Sequence, residues 1–194
     1  MRYILRMVHE NSFLEGYIKD LELTKKQIKN LLDSYNIPFV FIGGVARNEY
    51  ARCRTTSDVD ILVSSNDRQK MLDLPIGYIK CLAKDSAKRF ILHEPKTEIE
   101  VMYSGEKAGN SKGIEFPDPD KINNGKNVMT LKSLIEFKLC SGLLAKRYKD
   151  YGDIQDLIKE NKLPKNYAKN FRNDLKELYE QLWENTINNE RFEM

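Results

Sequence analysis

The apolar positions change period several times along the chain. Leu21, Leu23, Ile28, Leu31, Leu32 and Tyr35 recur at helical spacing, so residues 1 to 35 read as helical, with Thr24 as an N-cap before Lys25. After Pro38 the run Phe39 to Ile42 predicts a short buried strand, and Gly43-Gly44 open a helix reaching about Arg52. Val59 to Val63 predicts a second strand. Ser64-Ser65-Asn66-Asp67 is turn and N-cap chemistry for a helix through about Asp73. Pro75 and Gly77 break that helix, and Ile79 to Ala87 has the spacing of another. Arg89 to His93 and Thr97 to Tyr103 read as a hairpin around Glu94-Pro95-Lys96-Thr97. Alternation along its second strand puts Ile99, Val101 and Tyr103 on one face, and Glu98, Glu100 and Met102 on the other.

Ser104 to Asn127 is rich in Gly, Asn, Lys and Pro, with one strand-like patch from Gly113 to Phe116. Loops of this length in compact domains are often functional. From Thr130 the pattern turns helical. Thr130 caps a helix carrying Leu131, Leu134, Ile135, Leu139 and Leu143, and a second runs from about Asp150 to Glu160. Pro164 separates a third, from about Asn166 to Asn188, with Phe171, Leu175, Leu178, Leu182 and Trp183 on its apolar side. Strands mixed with helices, followed by helices alone, predict an α+β fold: a mixed β-sheet flanked by helices in residues 1–127, and a C-terminal helical block in residues 128–194.

Composition narrows the class of protein. Apolar residues make up 41% and charged residues 31% of the sequence, enough for a core and a soluble surface. No apolar run is long enough to span a bilayer, so no membrane association is expected. The first residues lack the apolar stretch and small-residue cleavage site of a secretory signal. Cys53, Cys81 and Cys140 are scattered and odd in number, which fits reduced thiols in a cytoplasm. A net charge of +3 is compatible with a polyanionic partner without arguing for one. With only His9 and His93, histidine chemistry has little to work with.

Candidate chemistry concentrates in two acids. Asp58 and Asp60 stand one residue apart at the start of the second strand, and so share a face. They are either solvent-facing acids at a strand mouth or the ligands of a divalent cation. The diglycine Gly43-Gly44 lets backbone approach a ligand, and a helix start suits phosphate. Metal with phosphate points to nucleotide chemistry. A third carboxylate would complete such a site, and Glu100 or its neighbour on the same face, Glu98, is placed to supply it. Lys138 stands three, four and seven residues after Ile135, Leu134 and Leu131, so it projects from the apolar stripe. It either snorkels to solvent or meets an anion. Asp150 and Asp153 suit a helix N-terminus. Arg54, Lys88 and Arg89 are either exposed or in contact with phosphate or RNA.

The stretch Gly43-Gly44-Val45-Ala46, followed by Arg54-Thr55-Thr56-Ser57-Asp58-Val59-Asp60, resembles the signature of the nucleotidyltransferase superfamily, which shares the polymerase-beta-like fold. Within it, the sequence resembles small bacterial AbiEii-type nucleotidyltransferase-like proteins. The likeness extends through Glu100 to Glu106, Phe116-Pro117-Asp118-Pro119, Thr130 to Gly142, Lys149 to Asp153, and Leu182-Trp183. It implies that Asp58, Asp60 and Glu100 are catalytic and hold Mg²⁺ or Mn²⁺. It also implies that Gly43, Gly44, Arg54, Lys138 and Asp150 bind the nucleotide, under a closing helical block. The implied activity is transfer of NMP from an NTP to a hydroxyl of RNA or protein, in the role of a toxin-antitoxin or phage-defence toxin with an antitoxin partner. Two departures stand out. Glu100 replaces the usual Asp, which raises the alternative of a catalytically weakened nucleotide-binding or interaction protein. Ala46-Arg47 replaces the Arg-Asp of the polymerases, so tRNA end repair is not implied.

Overall fold

A computed structural model describes residues 2–193 except Ser57 and Ala83; the side chains of residues 2–14 and 189–193 are not described. Strands β1 (Phe39–Phe41), β2 (Val59–Val63), β3 (Ile79–Cys81), β4 (Arg89–Leu92) and β5 (Thr97–Tyr103) form one sheet in the order β1-β2-β5-β4-β3. β2 and β5 run parallel and every other pair is antiparallel, giving the mixed sheet expected of the α+β class. Helices α1 (Arg2–Ser34), α2 (Gly43–Tyr50) and α3 (Arg68–Leu72) accompany the sheet. Helices α4 (Leu131–Ala145), α5 (Lys149–Glu160) and α6 (Asn173–Glu193) form the C-terminal block.

Alternation decides what each face of the sheet carries. In the β2–β5 register Val59 opposes Ile99, Ile61 opposes Val101 and Val63 opposes Tyr103, all buried on one face. That face is covered by α1, whose Thr24 meets Thr97, and by α3, whose Arg68 lies 4.0 Å above the Tyr103 ring. Asp60 pairs with Glu100, and Leu62 with Met102, on the other face. There the C-terminal block packs, and one hydrophobic cluster joins residues from both halves of the chain, among them Val40, Leu62, Met129, Leu139 and Leu157. The outer edge of β1 is covered. The Phe41 N–H donates to the Asn127 carbonyl at 2.7 Å, and the Met129 N–H donates to the Phe41 carbonyl at 3.0 Å.

Three local expectations need correction. Thr24 lies inside the single helix α1 and caps nothing; its hydroxyl donates to the Asp20 carbonyl one turn back, at 2.8 Å. Residues 79–81 form a strand where a helix was expected, because pairing with β4 outweighs the local helical spacing. Ala87, with φ at +51°, lies in the turn that would have ended that helix. The third C-terminal helix starts at Asn173, since a 3-10 turn, Lys165–Ala168, follows Pro164. Thr130 does cap α4, accepting from the Ser133 N–H at 3.5 Å.

Candidate active site

The parallel pairing of β2 with β5 builds the centre of the site. It sets Asp60 directly beside Glu100, and Asp58 enters β2 on the same side. One carboxylate oxygen from each of the three lies within 4.8 Å of the others. Among the described residues, no ion pair joins Asp60 or Glu100 to a lysine or arginine. Burial, and then the charges of Asp58 and Glu100, push the Asp60 carboxyl up to about 6, with Arg147 and Lys138 pulling weakly the other way. Glu98, the other acid on this strand face, points away to Arg89 across the hairpin, whose Nε donates to it at 2.7 Å.

The diglycine is explained by crowding at these acids. Gly43 has φ at +58°, and a Cβ there would run into the Asp60 carboxylate. A Cβ on Gly44 would lie 2.7 Å from the Thr56 hydroxyl oxygen. Glycine at both positions therefore lets α2 begin against the acids. Its N-cap, Ile42, contributes no side-chain cap, so the first-turn N–H groups face the cleft with the positive end of the helix dipole.

These groups line a cleft of about 380 Å³, a size that suits a small ligand. One wall is apolar, with Met102, Met129, Leu134 and the stacked rings of Phe116 and Phe137, whose centroids are 4.4 Å apart. Lys107, Arg147 and Lys149 also line it. The left-handed turn at Lys146, φ +54°, breaks the chain between α4 and α5 and sets Arg147 and Lys149 on the cleft. The 104–127 loop forms part of the wall and is tied to α4. The Ile114 N–H donates to the Cys140 sulfur at 3.3 Å, and the Asn110 side chain donates to the Leu144 carbonyl at 3.2 Å.

Lys138, Asp150 and Arg54 all reach this cleft, but through an ion network that the sequence did not foreshadow. Lys138 is 7% exposed and donates to Asp150 at 2.9 Å and Asp153 at 2.7 Å. Asp153, 4% exposed, also accepts two bonds from the Arg54 guanidinium, at 2.9 and 2.8 Å. Arg47, buried in α2, lies 3.6 Å from Asp153 and bonds Asp156 and the Arg52 carbonyl. Burial alone would raise the Asp153 carboxyl; the hydrogen bond from Arg54 and the charge of Lys138 outweigh it and hold the carboxyl below its ordinary value. Asp153 is thus the hub, one turn along α5 from Asp150. Its partners come from distant parts of the chain, so only the buried spacing of α5 could have pointed to it. Lys88 pairs with Glu106 and Arg89 with Glu98, away from the cleft.

No protein-family model matches this sequence, and no curated protein matches it. Among solved structures, the chain is similar to the solution structure of the antibiotic-resistance factor ANT(2'')-Ia. The TM-score is 0.48 at 10% identity, over 90% of this chain and 97% of that one. The roles of the residues rest on the geometry above. Among the described residues, no helix is long and apolar enough to cross a membrane.

Proposed function

We propose that the cleft is the active site of a metal-dependent nucleotidyltransferase, moving NMP from an NTP to a hydroxyl. The observation that carries the proposal is the convergence of Asp58, Asp60 and Glu100 beneath an uncapped helix N-terminus, in a cleft also lined by lysines and two arginines. The donor set fits Mg²⁺ or Mn²⁺: three hard oxygen ligands, one of them held partly protonated near neutrality until a cation relieves the crowding. Bound there, the metal would neutralise phosphate charge and lower the pKa of the acceptor hydroxyl.

The protein's own groups divide the remaining work. The N–H groups at Gly43 and Gly44, together with Lys107, Arg147 and Lys149, bind the triphosphate. Lys138 spends two of its three donors on Asp150 and Asp153, and its third is left for a phosphate oxygen. Arg54 is oriented by Asp153. Asp150 acts through Lys138 instead of touching the nucleotide. The apolar wall with Phe116 and Phe137 receives the base, and the helical block of residues 128–194 closes one side. Glu100 accepts the acceptor's proton. Its extra methylene does not remove it from the cluster, which favours an active enzyme over a weakened nucleotide-binding protein. A cytoplasmic role as a toxin with an antitoxin partner, acting on RNA or protein, rests on the sequence motifs alone.

The test is incubation with each α-labelled NTP, Mg²⁺ or Mn²⁺, and RNA or protein acceptors. Incorporation that disappears in Asp58→Ala and Asp60→Ala supports transfer. NTP binding without incorporation under either metal supports the weakened protein, and RNA shortening without NTP supports a nuclease.

A further inference from the structure

A second cleft, of about 200 Å³, lies between α1 and the β4–β5 turn. Tyr17 and Asp20 of α1 face Lys96 of the turn and Thr97 at the start of β5 across it, and Thr56 and Asp58 also line it. Thr56 and Asp58 line the main cleft as well. The two clefts therefore meet at Thr56 and Asp58, while Asp60 and Glu100 line the main cleft alone.

We infer that the second cleft admits the acceptor, and that the acceptor is a neutral or cationic alcohol about the size of one amino-acid side chain or one sugar ring. This inference rests on the nucleotidyl-transfer reading of the main cleft. In-line displacement at phosphorus requires the attacking and leaving oxygens on opposite sides. The α2 N-terminus, Lys107, Arg147 and Lys149 occupy the main cleft, where they suit a leaving pyrophosphate. The approach across Asp58 from the second cleft is left for the attacking oxygen. The alcohol oxygen forms a bond to the α-phosphorus as the bond to the β-phosphate oxygen breaks. Pyrophosphate leaves with that electron pair; the alcohol oxygen reaches past Asp58 into the main cleft, where its proton passes to Glu100 and then to water.

The lining selects against a nucleic-acid strand. With Asp58 turned to the cation of the main cleft, the lining offers one carboxylate, Asp20, and one ammonium, Lys96, and so no cluster of cations. A phosphate backbone is drawn to clustered cations and repelled by acids. The Tyr17 oxygen accepts from the Thr56 N–H at 2.9 Å, which leaves its own proton to donate to an acceptor oxygen. The volume falls below the roughly 300 Å³ at which pockets take drug-sized ligands, and so fits a single side chain or ring.

The experiment uses the full chain with Mg²⁺ and a mixture of the four α-labelled NTPs. Three fractions of a cell extract are supplied separately: small metabolites, protein and RNA. The expected result is label in the metabolite or protein fraction, and the two arms tell these sources apart. Asp20→Lys, at an exposed position, should cut that labelling tenfold or more. Affinity for a fluorescent NTP analogue should stay within about twofold. Lys96→Glu should leave labelling of a cationic acceptor equal or higher. Label in the RNA fraction, or labelling untouched by Asp20→Lys, overturns the inference. An absence of label from all three fractions, with the NTP analogue bound, instead overturns the transfer reading on which it rests.

Discussion

Two groups of acids lie at or beside the main cleft, and their surroundings drive them to opposite states. On β2 and β5, Asp58, Asp60 and Glu100 crowd together; among the described residues no ion pair reaches Asp60 or Glu100, and Asp60 is pushed up to about 6. On α5, Asp150 and Asp153 are at least as buried, but Lys138 and Arg54 reach them and the Asp153 carboxyl is held low. Burial penalises charge in both places. Lys138 and Arg54 hydrogen-bond the α5 acids and offset it there, whereas at Asp60 the more distant charges of Arg147 and Lys138 do not. The α5 acids therefore hold structure together, whereas the strand acids store an unfavourable charge that the proposed cation would relieve. Acids of similar type thus have separate tasks in the proposed reading: those of α5 set the positions of Lys138 and Arg54, and those of the sheet hold the metal.

The largest expected effect breaks the α5 group. Asp153→Ala leaves Lys138 and Arg47 buried without their shared partner, which should cost about 3–5 kcal/mol. Urea unfolding measures it, and a loss under 1 kcal/mol would show that the network is not a structural unit. Asp60→Asn should act in the opposite direction. A carboxyl raised from 3.8 to about 6 carries a penalty of at most about 3 kcal/mol once ionised. Removing that charge should stabilise the metal-free protein at pH 8 by up to that amount while abolishing transfer.

Gly43→Ala comes next. Between the left-handed backbone and the Asp60 carboxylate, it should cost about 1–2 kcal/mol and displace Asp60, weakening metal binding. Its thermal unfolding with and without Mg²⁺ gives both effects. Smaller is the pH dependence of the wild type in EDTA. The folded state holds the Asp60 proton that the unfolded chain releases near 3.8, so stability falls as pH rises through the window from about 3.8 to 6. About 1.4 kcal/mol of that fall lies between pH 5 and pH 8. The Asp153 contribution has the reverse sign. It is fully present above the ordinary carboxylate range and is lost as pH drops through the lowered folded value, below the Asp60 window. A stability that rises between pH 5 and pH 8 would contradict the strand-acid half of the comparison. Smallest is Arg147→Ala, at an exposed rim, which should change stability by less than about 0.5 kcal/mol and raise the KM for NTP.

How much of this was readable in the sequence follows the range of the interactions. Asp58 and Asp60 are fixed by strand alternation, which is local, and the strand face of Glu100 is equally local. Choosing Glu100 over Glu98 requires knowing that Arg89, whose register partner is Glu100, turns its guanidinium to Glu98. The α+β order was visible because strand and helix periods differ. The 79–81 strand was hidden, since its pairing with β4 is the only thing that separates it from a helix. Lys138 was conspicuous as a charge in an apolar stripe. Asp153 was not, because its other partner, Arg54, lies 99 residues away. The second cleft depends on how α1 lies against the β4–β5 turn, for which a helical pattern alone contains no signal.

If the strand acids hold a divalent cation and the α5 acids do not, isothermal titration of Mn²⁺ at pH 7.5 into the wild type, Asp60→Asn and Asp150→Asn separates the two groups. One site is expected in the wild type, weakened at pH 5.5 where Asp60 must first lose its proton, abolished in Asp60→Asn and retained in Asp150→Asn. Binding that survives Asp60→Asn, or that is lost only in Asp150→Asn, would contradict that division.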